Sequence, residues 1–108
     1  MSRTIRVFWP QSGSGWKNFN WGGVIDQNSV VHISACEGRL DSGSIFGPLN
    51  AINRVRGDAQ IYVKNIHPHA DQGGGGGVEF FLENEFPHPL DIVTDIIVED
   101  PPEQGVVV

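Results

Sequence analysis

Trp16, Asn18, Asn20 and Trp21 fall within one short stretch, and together they are the residue types that hold a sugar. An indole offers a flat apolar plate to a pyranose face, and a carboxamide supplies both a donor and an acceptor for its hydroxyls. The stretch is bordered by glycines and reads as a loop, so these four residues are candidate glycan contacts. The competing use of tryptophan in a small chain is core packing, and Trp9, which alternates with Val7, is read that way.

A second grouping suggests metal chemistry. His67 and His69 are two residues apart, which in an extended chain puts both imidazoles on one face about 6–7 Å apart. With Asp71 they would offer three ligands of the kind that zinc or nickel takes. The alternative is a solvated His-Pro-His segment around Pro68. His88 falls at the far end of the following strand, away from both. No resident cofactor is expected.

Covalent catalysis finds little footing. Gly13-Ser14-Gly15 lacks the Gly-x-Ser-x-Gly spacing of a nucleophile elbow and opens no helix. Cys36, the single cysteine, sits four residues from His32 on one strand face, a separation of about 13 Å at roughly 3.3 Å per residue. It reads as a buried, inert thiol. Gly73–Gly77 precedes no Lys-Ser or Lys-Thr and leads into a strand, so it has neither the lysine nor the helix dipole of a phosphate loop.

Acidic residues give no firmer lead. Asp91, Asp95 and Glu99 share one strand face without an EF-hand loop and read as the wet side of a half-buried sheet. Val93 and Ile97 would be exposed between them, a mixed apolar and acidic face suited to a partner, which Phe81 and Tyr62 could extend. Arg56-Gly57-Asp58 reads as a turn. The chain is expected not to be an enzyme.

The elements that must position these residues are strands. Ile5, Val7 and Trp9 alternate with Thr4, Arg6 and Phe8 as far as Pro10, and Val31, Ile33 and Ala35 alternate within 29–37. Ala59, Ile61 and Val63 mark a third strand, Val78, Phe80 and Leu82 a fourth. Ile92, Thr94, Ile96 and Val98 mark a fifth. Residues 38–48 read as a loop, and 49–55 as a short helix or an irregular crossover. Residues 70–77 read as a flexible glycine loop inside a hairpin. Residues 101–108 read as a frayed tail or an added edge strand, in which Val106, Val107 and Val108 offer an apolar surface for self-association. Six to eight short strands with little helix predict an all-β fold, an antiparallel β-sandwich of Ig-like or jelly-roll style, as a single domain over 1–108.

Composition narrows the function further. Thirteen Asp and Glu stand against seven Lys and Arg, a net charge of −6, and the basic residues form no cluster. A polyanion would be repelled, so nucleic acid is not an expected partner. One cysteine excludes an internal disulfide framework. No apolar run approaches the length of a membrane span, and the start lacks the apolar core of a leader, so a cytoplasmic location is expected. The sequence therefore predicts a non-enzymatic module that acts through protein contact or self-assembly. The alternative is a small carbohydrate-binding protein.

Overall fold

Side chains on a strand alternate between its two faces, so an apolar period of two is buried by laying one face of a sheet on another. The computed structural model, which describes residues 2–41 and 51–108, follows that rule. Its strands are β1 (Arg3–Ser12), β2 (Gly15–Asn20), β3 (Val30–Leu40), β4 (Ile52–Arg54), β5 (Ile61–Ala70), β6 (Gly76–Asn84) and β7 (Leu90–Glu99). They form two antiparallel sheets, ordered β1-β7-β3-β4 and β2-β6-β5. The first strand pairs with the last and the second with the last but one, so the chain is wound as a roll. The expected all-β sandwich is the fold observed.

Between the sheets, Val78, Phe80 and Leu82 of β6 pack with Ile92, Ile96 and Val98 of β7, all buried. Ile5, Val7 and Trp9 of β1, Ile33 and Ala35 of β3, and Ile61 and Val63 of β5 complete the layer. Burying each such side chain stabilises the fold by about 1.5–3 kcal/mol. Trp9 is a core residue, as its alternation implies. Its Nε1 donates to the buried Thr94 hydroxyl at 2.8 Å, so neither polar group is left without a partner.

Asn84 ties the two corners of the roll together. Its side-chain amide donates to the carbonyls of Ser12 at 3.0 Å and His88 at 3.3 Å, and its Oδ1 accepts from the Phe86 N–H at 2.9 Å. Its own N–H donates to the Ser14 hydroxyl at 2.8 Å. One buried residue thus joins the β1–β2 corner to the turn between β6 and β7.

Several local expectations change. Residues 15–20 form β2 rather than a loop, with Lys17 and Phe19 turned inward and Trp16, Asn18 and Asn20 outward. Strand β1 continues through Pro10 to Ser12, because Pro10 falls in a bulge on an edge strand, where no ladder bond needs its missing N–H. Residues 38–40 continue β3, and residues 52–54 are β4 rather than helix. Residues 42–50 of those two expectations lie outside the described residues. Residues 101–108 form no strand and are exposed.

The glycine run differs most from its reading. The expected loop 70–77 shortens to 71–75, since Ala70 already pairs with Gly76, and a 3-10 turn occupies Gln72–Gly74. Gly76 and Gly77 are buried members of β6. A Cβ on Gly76 would stand 2.0 Å from the Ile25 carbonyl oxygen, and one on Gly77 would stand 2.5 Å from that of Phe19. Backbone approaches backbone there, and only glycine fits.

A second close approach covers β7. Strand β4 stands three places from β1 in the sheet order, yet Arg6 of β1 donates to the Ile52 carbonyl at 3.2 Å. The β3–β4 end therefore curls back across the outer face. A Cβ on Gly38 would meet the Val93 side chain at 2.1 Å, and Val93 is 1% exposed. Val93 is thus buried, not part of an exposed partner face. Phe81 and Tyr62 belong to the other sheet and do not extend that face.

Candidate functional site

Two surfaces have the chemistry of a binding site. The first is the outer face of β2-β6-β5. Alternation puts Trp16, Asn18 and Asn20 of β2 on that face, opposite Phe81, Glu79 and Gly77 of β6. His67 and His69 of β5 lie opposite Glu79 and Gly77 from the other side. Trp16 is 59% exposed and is braced edge-on by Phe81, with ring centroids 5.6 Å apart. Beside it runs a chain of polar contacts. Asn18 Nδ2 donates to Asn20 Oδ1 at 2.8 Å, Asn18 Oδ1 lies 2.8 Å from His69 Nε2, and His69 Nδ1 lies 2.9 Å from Asp71 Oδ1.

This chain joins the two candidate sets, because Asn18 and Asn20 meet His69 and Asp71. Trp21 does not join them. It follows β2 on the inward side, packs against the core that holds Ile25 and Val78, and meets Phe19 edge-on. The metal expectation finds no cluster: among the described residues, no three His, Cys, Asp or Glu side chains gather around a point that could hold an ion. Both ring nitrogens of His69 face oxygen atoms, those of Asp71 and Asn18. At the far end of the face, Lys64 donates to Glu83 at 2.9 Å, which raises the lysine pKa and lowers that of the carboxylate.

The second surface is the open edge of β1. Among the described residues β1 pairs with β7 alone, so its other edge carries no strand. That edge floors a groove of about 490 Å³, walled by Phe19 of β2 on one side and by Leu40 and Ile52 of β3 and β4 on the other. Ile5, Val7 and Phe8 line it from β1 itself, and Pro10 closes one end. Among the described residues, Arg6 is the one charged side chain in the lining. Sequence reasoning found β1 but not this groove. Pro10 within a strand-like run was the available signal, since proline in a sheet marks an edge.

The floor of the groove is held in place by charge. Arg6 donates from Nε and Nη2 to the two Asp95 oxygens at 2.7 and 2.9 Å, and Arg54 reaches Asp95 at 3.5 Å. The hydrogen bond from Arg6 keeps the Asp95 carboxyl below its ordinary pKa, and Arg6 is raised in turn. Cys36 accepts from Arg54 Nε at 3.3 Å. His32, opposite Ile97, stands two pleats along β3 from Cys36, which is opposite Val93. No protein-family model, curated protein or solved structure matches this chain.

Proposed function

We infer that the protein is a non-enzymatic interaction module that works by protein contact, with the open edge of β1 as its contact surface. The observation that carries this reading is the groove: a strand edge, unpaired among the described residues, between apolar walls. Such an edge is a template for an added strand, whose main-chain hydrogen bonds supply affinity while flanking pockets select its side chains. Sheet edges are commonly blunted by lysine, proline or a covering loop. In β1 the only proline is at position 10, and residues 3–9 contain no lysine. Light scattering across a wide concentration range tests the self-assembling form of this reading. A mass that rises with concentration, and falls back to the monomer in Phe8→Asp and Ile52→Asp, supports it. Association that both variants leave intact overturns the edge as its site.

One observation favours a second reading, a small carbohydrate-binding protein. Trp16 is exposed beside an amide and imidazole chain, the pairing of plate and hydrogen-bonding groups that a sugar ring requires. Tryptophan fluorescence against a broad glycan panel tests it. A spectral shift that disappears in Trp16→Ala supports this use of the face, and silence across the panel rejects it.

A further inference from the structure

We propose that the strand added to β1 is the segment Glu103–Val108 of a second copy of this chain. This rests on the reading of the β1 edge as a contact surface and names its occupant. Two observations point to that segment. Val106, Val107 and Val108 are exposed, and consecutive β-branched residues are strong strand formers that match apolar groove walls. Charge is complementary as well. Arg3, Arg6 and Lys17 are the only charged residues between positions 1 and 25, whereas Glu99, Asp100 and Glu103 are the only ones from 99 to 108. Within the segment itself Glu103 is the one charged side chain, and Arg3 at the start of β1 is the nearby cation not already bonded to Asp95, in a chain whose net charge of −6 otherwise opposes association.

Direction decides between one chain and two. Residues 100–108 leave β7 beside the start of β1, where Arg3 pairs with Val98. Extended, these nine residues reach about 30 Å, enough to run along most of β1. Along their own β1 they could run only parallel to it. Every strand pair among the described residues is antiparallel. The same segment of a second copy has no such restriction and can pair antiparallel. Two copies can then exchange segments about a two-fold axis, making the same contact twice and closing the assembly.

The test compares full-length protein with a variant carrying Val106→Asp, Val107→Asp and Val108→Asp. These positions are exposed, so the substitutions leave the core intact, and near-ultraviolet circular dichroism verifies this. Sedimentation velocity is expected to show a concentration-dependent dimer in the parent and at least a tenfold weaker one in the variant. A photoreactive group at position 107, in mixed light and heavy isotope-labelled protein, is expected to crosslink to residues 3–12 of the other isotopic copy. Mixing the triple variant with Phe8→Asp should restore a dimer through one intact contact. A parent that stays monomeric overturns the proposal, as does a crosslink confined to one copy. Association lost in Phe8→Asp and Ile52→Asp but kept in the triple variant overturns the occupant and leaves the β1 reading standing. Association kept in all of them overturns both.

Discussion

Asn18 on β2 and His69 on β5 meet at 2.8 Å, although β6 lies between their strands. The contact crosses β6 beside Gly77, which pairs with His69 on one side and Asn20 on the other and presents no side chain in between. The glycine run is thus part of the candidate face. Its last two members let backbones close together, and the bare position at Gly77 leaves room for the imidazole to reach a strand it does not pair with.

Gly76→Ala and Gly77→Ala are therefore expected to destabilise the protein by about 1–3 kcal/mol each through overpacking, more if the backbone cannot yield. Gly13→Ala, where a Cβ meets nothing within 4 Å, serves as the control and should be neutral. Urea unfolding measures all three. Equal stabilities would contradict the close approach of β6 to Ile25 and Phe19.

Asn84→Ala leaves the buried Ser12 carbonyl, and the half-buried Phe86 N–H and His88 carbonyl, without their partner. The expected cost is about 2–3 kcal/mol, since a buried polar group stripped of its partner bears its desolvation unrelieved. Asn84→Asp keeps the acceptor but turns a charged carboxylate oxygen toward the two carbonyls, so at neutral pH it should cost at least as much as Asn84→Ala. A cost under half a kcal/mol for Asn84→Ala would remove Asn84 as the link between the corners.

Asp95 predicts a pH dependence with a definite sign. Its carboxyl is held below its ordinary pKa in the fold, chiefly by the Arg6 hydrogen bond, so the folded state binds fewer protons there than the unfolded chain. The resulting stability is whole above the unfolded pKa of about 4 and is lost as pH falls through the lower folded value. The stability difference between the parent and Asp95→Asn should stay constant from neutral pH to about 5 and shrink below about 4. Chemical denaturation at a series of pH values measures it. A difference that does not change with pH would contradict the pairing.

Trp16→Ala should change unfolding free energy by no more than about half a kcal/mol, since exposed positions outside special features contribute little. Trp9→Ala should cost about 3–5 kcal/mol, because that indole is packed between the sheets and its N–H serves Thr94. Thermal or urea denaturation ranks the two. A reversed order would mean that Trp16 is a packing residue rather than a presented one.

The contrast between these tryptophans shows what sequence could reveal. Strands β1, β3, β6 and β7 each carry at least three apolar side chains at period two, and that pattern is sufficient to find them. In β2 the pattern is inverted: Lys17 turns inward over the Trp9 ring, while Trp16 turns outward. A hydropathy reading therefore sees a loop. Strand β4 is only three residues long, too short for any period to register. Val93 sits on what alternation makes the solvent face, and only the return of the β3–β4 end covers it. The Asn18 contact of His69 spans 51 residues, beyond any spacing rule. The glycines misled for a related reason. Composition reports conformational freedom, whereas the demand for glycine at 76 and 77 comes from neighbouring backbone.

The most direct measurement is residue-by-residue amide exchange along β1 by NMR, at low and at high protein concentration. The β1 edge reading, with a second copy as partner, predicts that alternate amides of residues 4–8, those facing away from β7, gain protection at high concentration. Amides of β5, one of the two edge strands of the other sheet, should be unchanged. Exchange along β1 that is the same at both concentrations, or protection that appears on β5 instead, would contradict it.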